Sequence, residues 1–107
     1  MNLTFSVLYV PEHLTLEDAF LLNMAVPIAV LRALDSYGVA ETFIKWPNDI
    51  LVKGKKMVGI LTEMTGTMDE IEYIILGVGL NVTTGLDEWP DDLKAIATSI
   101  LMEGVEI

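Results

Sequence analysis

Lysines are concentrated in one short part of this chain. The sequence has 6 basic residues against 16 acidic ones, for a formal net charge of −10. Four of those basic residues are Lys45, Lys53, Lys55 and Lys56. An acidic protein that gathers its cations in one place is suited to hold an anion there. The pattern predicts an anion-binding site at this hairpin, although a solvated position on the turn is the commoner role for a lysine and is favoured for Lys53 and Lys55.

A second candidate group lies on a strand further along the chain. Gly77, Gly79 and Asn81 are two residues apart, so in a regular strand they share one face of the sheet. Two positions without side chains clear a space, and an amide at its end can both donate to and accept from a nucleobase. The alternative is that the glycines relieve packing against a helix.

The two groups together resemble the central signature of biotin protein ligases. The first motif is Lys-Trp-Pro-Asn-Asp at 45–49, followed by Gly-Lys-Lys at 54–56 and Gly-Ile-Leu at 59–61. The second is Gly-Val-Gly-Leu-Asn-Val at 77–82. Two long motifs in the right order are a specific signal. The resemblance implies ATP-dependent formation of biotinyl-5′-adenylate and transfer of biotin to a lysine of the biotin carboxyl carrier protein.

The resemblance also implies roles for the two lysines. Negative charge builds on the α-phosphate and on departing pyrophosphate when ATP activates a carboxylate, so fixed cations lower the barrier. Lys45 is placed near the reacting carboxyl and phosphate. Lys56 is placed against biotin and the acyl-adenylate linkage. The chemistry requires no nucleophile from the protein.

Binding residues are implied by the same resemblance. Asn81 is assigned to the adenylate, with Gly77 and Gly79 on its strand. Gly59 and Leu61 are placed on the floor of the biotin pocket, although spacing alone makes them ordinary strand residues.

Asn48 and Asp49 have two open interpretations. A carboxylate among lysines can bridge Mg²⁺ to phosphate or orient the incoming lysine amine. Alternatively, the pair forms an Asx turn that starts the hairpin. The implied ligands are ATP, Mg²⁺ and biotin as substrate, and no metal site held by the protein itself is predicted.

The elements that must position these residues have an α+β order. We expect a largely antiparallel mixed sheet with helices packed on it. Thr15 and Asp18 predict a helix cap, and Pro27 predicts a kink or break in the helix that follows. That helix is apolar almost all round and should be buried. The expected strands span 3–10, 42–45, 49–53, 56–64 and 71–82, and the expected helices span 16–37 and 91–102.

Composition limits the possible functions. The chain has 107 residues, which allows one domain, and it has no cysteine for a disulfide or thiolate metal site. The negative charge argues against nucleic-acid binding. No apolar run is expected to reach the ~20 residues of a membrane span, and no signal peptide is evident, so we expect a cytoplasmic protein.

Residues 1–107 are interpreted as a partial biotin/lipoate ligase-like catalytic domain. The arginine- and glycine-rich loop that precedes the strand at 3–10 in this family is not found, nor is the small C-terminal β domain. Activity of this chain alone is therefore in question, and a separate chain could supply the loop. The alternatives are a non-catalytic interaction or regulatory domain and a lipoate ligase-like protein.

Self-association is also expected. The high apolar content, 52% of residues, predicts exposed strand edges that recruit another chain. The strands at 56–64 and 71–82 are the expected contact surface of a C2 homodimer. On this hypothesis, Ile74→Glu would weaken the dimer.

Overall fold

The computed structural model describes residues 2–67 and 69–105, which form one antiparallel sheet and one long helix. The strands run in the order β1-β5-β4-β3-β2, and every neighbouring pair is antiparallel. The expected α+β class is confirmed. The elements are β1 Asn2–Tyr9, α1 Leu16–Ser36, β2 Thr42–Lys45, β3 Asp49–Val52, β4 Lys55–Gly66, β5 Ile71–Asn81 and a short 3-10 turn, Leu86–Glu88.

A tight turn joins β3 to β4, as the sequence predicts. Lys53 and Gly54 both have positive φ, at 51° and 82°. Glycine adopts this conformation without steric cost, whereas lysine does so at some cost. The turn closes the hairpin that carries the lysine cluster.

The start of α1 is confirmed and the predicted break is wrong. The Asp18 amide donates to the Thr15 hydroxyl at 3.1 Å, which caps the helix. The helix then continues through Pro27 to Ser36 as one element. The Pro27 side chain is fully buried, so its packing offsets the backbone bond that proline removes.

Helix α1 packs on the sheet with one side only, so the expectation of full burial is wrong. Val26, Val30 and Leu34 pack in the main core, whereas Phe20 and Leu21 are exposed. By length and composition alone this 21-residue helix could cross a membrane, which the sequence-based expectation missed. The radius of gyration, 15.5 Å, exceeds the roughly 13 Å typical of a compact domain of this length.

The main core lies between α1 and one face of the sheet. Its strand residues are all buried, and they are Ile50, Val52, Met57, Val58, Ile60 and Val78. Because side chains alternate along a strand, the residues between them point to the opposite face. That second face carries the candidate site.

The expected dimer surface does not have the predicted geometry. Strands β4 and β5 lie inside the sheet, and β5 is paired along both sides. Ile74 is fully buried in a second core cluster with Ala19 and Ile71. A charged residue at position 74 would disrupt this core, so Ile74→Glu cannot test association.

The helix predicted at 91–102 is absent from the structure. Residues 91–104 form turns, and Ala97 makes an isolated parallel bridge to Lys56. Backbone groups of this segment bond to β4 and β5: the Ile96 carbonyl accepts from the Lys56 amide at 2.8 Å, and the Ile100 amide donates to the Asn81 carbonyl at 3.1 Å. Tertiary pairing has outweighed the local helix propensity of the sequence.

Candidate functional site

The strand register brings most of the predicted residues into two rows across one face of the sheet. In the first row Lys45 opposes Asp49, Asp49 opposes Gly59, and Gly59 opposes Gly79. Thr4 of β1 completes this row beside Gly79.

The second row lies two residues along the strands, on the same face. Leu61 opposes Gly77, and Gly77 opposes Ser6 of β1. Glycine therefore occupies the centre of both rows. Polar side chains flank the glycines of the first row, whereas Gly77 in the second row lies between the apolar Leu61 and the polar Ser6.

The glycines open a cleft and do not relieve helix packing. A Cβ atom added at Gly77 would lie 3.7 Å from its nearest neighbour, the Leu61 carbonyl oxygen. At Gly79 the nearest atom would be 4.0 Å away. Both are ordinary contacts, and α1 packs on the opposite face. The packing alternative is therefore wrong, and the space above these glycines is available to a ligand.

A β-bulge in β4 turns Lys56 toward this cleft. Ile50 pairs with Val58 and the next β3 residue, Leu51, pairs with Lys56, so Met57 is an extra residue in the ladder. Strict alternation would place Lys56 on the face of Val58, inside the core. The bulge re-aims it to the face of Gly59.

The ammonium of Lys56 is held above Gly59 by a carboxylate. Its Nζ lies 3.0 Å from Oδ1 of Asp49. A Cβ atom at Gly59 would come within 3.4 Å of the Lys56 Cε and 3.5 Å of Nζ, so the lysine chain lies directly over the glycine. The Lys56 side chain is 51% exposed and remains accessible to an anion.

Two cavities meet at Lys56. The larger, of 510 Å³, lies over the two rows, and the other, of 360 Å³, extends toward the C-terminal segment. Lys56, Gly59 and Gly79 line both. Among the predicted residues the first cavity is also lined by Asn48, Asp49, Leu61 and Gly77.

Asn81 lines the second cavity, and its amide is already engaged on one side. Its Nδ2 donates to the Thr98 carbonyl at 3.1 Å. Trp89 and Leu93 line the same cavity and were not predicted from the sequence. The available signal was an aromatic residue in the polar linker that follows the glycine motif.

The other lysines of the cluster are separated by the fold. Lys45 occupies the β2 end of the first row and is exposed, but it is not among the residues that line either cavity. Lys53 lies 3.4 Å from the Glu103 carboxylate, so it is paired and not simply solvated. Lys55 is half-buried. Only Lys56 of the four lines the cleft.

The arrangement suits anion binding more than metal chelation. Within residues 2–67 and 69–105, no three histidine or acidic side chains come together as metal ligands. The cleft instead offers one oriented ammonium over Gly59, open space above the backbone at Gly77 and Gly79, and an amide at its far end. These groups can bind a phosphate or carboxylate next to a flat ring.

Comparisons with known proteins identify relatives of this sequence. The sequence model described as the biotin/lipoate A/B protein ligase family matches residues 1–81. The chain is 47% identical over 79 residues to the bifunctional ligase/repressor BirA of Bacillus spizizenii, covering 74% of this chain and 24% of that protein. It is 41% identical over 87 residues to the biotin–[acetyl-CoA-carboxylase] ligase of Mycobacterium tuberculosis, covering 78% and 29%.

The fold has a counterpart among solved structures. It matches the biotin protein ligase from Aquifex aeolicus in complex with biotin and ATP with a TM-score of 0.75 and 29% sequence identity. The match covers 99% of this chain and 42% of that chain. The present chain thus spans less than half the length of that protein, and 24% and 29% of the two curated relatives.

Proposed function

Because this chain belongs to the biotin/lipoate A/B protein ligase family, we propose that it carries the biotin- and adenylate-binding part of a biotin protein ligase. In the proposed reaction, a carboxylate oxygen of biotin attacks the α-phosphorus of ATP. The bond to pyrophosphate breaks, and biotinyl-5′-adenylate forms. A lysine amine of the carrier protein then displaces AMP. The observation that carries this proposal is the placement of Lys56 where the two cavities meet.

The cavity over the glycine rows is the proposed biotin subsite. Gly77 and Gly79 let a flat ring approach the sheet backbone closely, and Leu61 offers apolar surface beside them. Thr4 and Ser6 line the same cavity and bring hydroxyl groups that can pair with polar ring atoms. Such a pocket, apolar with a few placed polar groups, is typical of small-molecule sites.

The cavity that contains Asn81 is the proposed adenylate subsite. Trp89 supplies an aromatic face for the base, and the Asn81 amide supplies a hydrogen-bonding edge. Lys56 lines both subsites, so its ammonium faces the junction where the acyl and phosphoryl groups meet. A fixed cation there stabilises the charge that develops on the α-phosphate.

Lys45 and Mg²⁺ complete the proposed chemistry. Lys45 ends the first row on the β2 side and would neutralise phosphate groups that extend beyond the cleft. Mg²⁺ usually binds through one or two carboxylates together with substrate phosphates, so few protein ligands are needed. Asn48 and Asp49 would provide oxygen ligands to an ion that arrives with ATP.

The partners of this domain are proposed from the same reaction. We expect a biotin carboxyl carrier protein as the acceptor, in a cytoplasmic setting. A homodimer and a separate chain that completes the site remain predictions. Light scattering at micromolar concentration tests the dimer, since a mass near that of one chain would contradict it.

The activity is tested by exchange of labelled pyrophosphate into ATP. If this chain catalyses adenylation, we expect exchange that requires biotin and is lost in Lys56→Ala. Binding of biotinyl-5′-adenylate without exchange would favour the non-catalytic alternative. Calorimetry with lipoyl-adenylate decides the substrate, because tighter binding of that ligand than of biotinyl-5′-adenylate would overturn the biotin assignment.

A further inference from the structure

The backbone of Lys56 is bonded to the C-terminal segment and not to β5. Pairing between β4 and β5 begins at Val58, so β5 does not extend along β4 as far as Lys56. In its place, the Lys56 amide donates to the Ile96 carbonyl at 2.8 Å, and the Lys56 carbonyl accepts from the Thr98 amide at 2.9 Å. Residues 96–98, which we call the clamp, therefore satisfy both backbone groups of this lysine.

The clamp bonds to β4 beside the bulge that directs Lys56 into the cleft. Met57 is the extra residue in the ladder between β3 and β4, so regular pairing is interrupted next to Lys56. The two bonds to the clamp supply a constraint that the interrupted ladder lacks. The position of this lysine thus depends on how firmly the clamp is held.

Glu103 fastens the clamp to the hairpin turn. Thr98 is fully buried, and its hydroxyl donates to Oε2 of Glu103 at 2.5 Å, a hydrogen bond strengthened by the charge of the acceptor. The other oxygen, Oε1, lies 3.4 Å from the ammonium of Lys53 in the turn between β3 and β4. The Glu103 side chain is 13% exposed, and burying a carboxylate is costly unless it is paired in this way. Glu103 therefore closes a ring of contacts through Lys53, Lys56 and Thr98.

We propose that Glu103 is a positioning residue that holds the clamp against β4 and thereby fixes Lys56 at the ligand cleft. Asp49 orients the ammonium of Lys56, whereas Glu103 acts on its backbone. The effect on ligand binding rests on the function proposed above, but the effect on the backbone is a property of the ligand-free protein. Glu103 lies beyond residue 81, where the match to the family sequence model ends.

The first experiment measures hydrogen exchange of the Lys56 backbone amide by NMR, without any ligand. Glu103→Ala should accelerate this exchange by about tenfold, because the clamp loses its charged anchor and opens more often. Thr98→Val removes the same hydrogen bond from its other partner and should have a similar effect. The Ile60 amide is the internal reference: it also lies in β4 but donates to the Asn48 carbonyl, at 2.7 Å, so its exchange should not change.

Asp91→Ala is the matched control for this measurement. Asp91 belongs to the same C-terminal segment and pairs with Lys94 at 3.2 Å, but its side chain is 99% exposed and has no bond to the clamp. We expect unchanged exchange at Lys56 in this variant. Unchanged exchange at Lys56 in both Glu103→Ala and Thr98→Val would overturn the proposal. Equal acceleration at Lys56 and Ile60 would also overturn it, since the loss would then be one of overall stability.

The second experiment tests whether Glu103 affects the ligand through Lys56. Calorimetry measures the affinity for biotinyl-5′-adenylate, and Glu103→Ala should lower it by about threefold to tenfold in the chain that has Lys56. In the Lys56→Ala background the same replacement should have little further effect, because the group that it positions is gone.

An equal loss of affinity in the two backgrounds would overturn the positioning role, because Glu103 would then act independently of Lys56. If the wild-type chain does not bind biotinyl-5′-adenylate, the proposed function fails. The amide exchange of Lys56 still decides in that case whether Glu103 holds its backbone.

Discussion

Lys56 and Asp49, on neighbouring strands, form an ion pair with Nζ 3.0 Å from Oδ1, directly above Gly59. Both side chains are partly exposed, and such pairs contribute only about 0–1 kcal/mol to stability. The pair is therefore more important for orientation than for folding. Asp49 holds the ammonium over the cleft, and the missing side chain at Gly59 leaves room for it.

Replacing Lys56 should weaken ligand binding selectively. Lys56→Ala removes the cation at the junction of the two cavities, so we expect the affinity for biotinyl-5′-adenylate to fall by about 1.5 to 3 kcal/mol in calorimetry. Lys55→Ala is the matched control, because Lys55 adjoins Lys56 but does not line either cavity. Similar losses in the two variants would indicate a diffuse electrostatic patch. Lys53 is a poorer control since it pairs with Glu103.

The role of Asp49 can be separated from metal binding. Asp49→Asn keeps the shape of the side chain and removes the charge that holds Lys56. If Asp49 acts by positioning, the affinity for biotinyl-5′-adenylate should fall by roughly threefold to tenfold, equally with and without Mg²⁺. A loss seen only when Mg²⁺ is present would show that Asp49 acts as a metal ligand instead.

Filling the cleft should affect binding and stability in opposite directions. Gly79→Val places a branched side chain where the space above the strand is open, and valine is a better strand former than glycine. We expect the urea midpoint to stay the same or rise, while binding of biotinyl-5′-adenylate is lost. Retained binding would mean that the ligand does not lie over this glycine.

Replacing Ile74 should lower the stability of the protein, whereas replacing Leu61 should lower its affinity for the ligand. Ile74 is 0% exposed in the core, whereas Leu61 is 63% exposed on the cleft face. Ile74→Ala should therefore lower the free energy of unfolding by about 2 to 5 kcal/mol, and Leu61→Ala should change it little. Chemical denaturation measures both.

Ligand affinity completes this comparison. Leu61→Ala should weaken biotin binding because the cleft loses its apolar side chain. The Ile74→Ala molecules that remain folded should bind biotin with unchanged affinity. A large stability loss in Leu61→Ala would contradict its assignment to the ligand face.

The strands and the paired glycines were predictable from sequence because they depend on local rules. Because side chains alternate along a strand, Gly77 and Gly79 lie on the same face of the sheet. The turn at Gly54 determines the hairpin. The helix start at Thr15 follows equally from a local hydrogen bond. These features need no knowledge of distant contacts.

The remaining features depend on contacts between distant parts of the chain. Alternation alone would direct Lys56 into the core, and the bulge at Met57 that reverses it has no local signature in the sequence. Residues 91–102 have an acidic start typical of a helix, yet the segment bonds to Lys56 and Asn81 instead. Pro27 is tolerated because the side chain is buried against the fold.

The most direct test of the proposed adenylate site is an NMR titration of the chain with biotinyl-5′-adenylate, observing the backbone amides of its glycines. We predict large shifts for Gly59, Gly77 and Gly79, which line the cleft, and little change for Gly38, which lies at the end of α1. Saturable shifts confined to the three cleft glycines would support the site. No shifts, or shifts centred on Gly38 and the helix, would contradict the claim that this face of the sheet binds the adenylate.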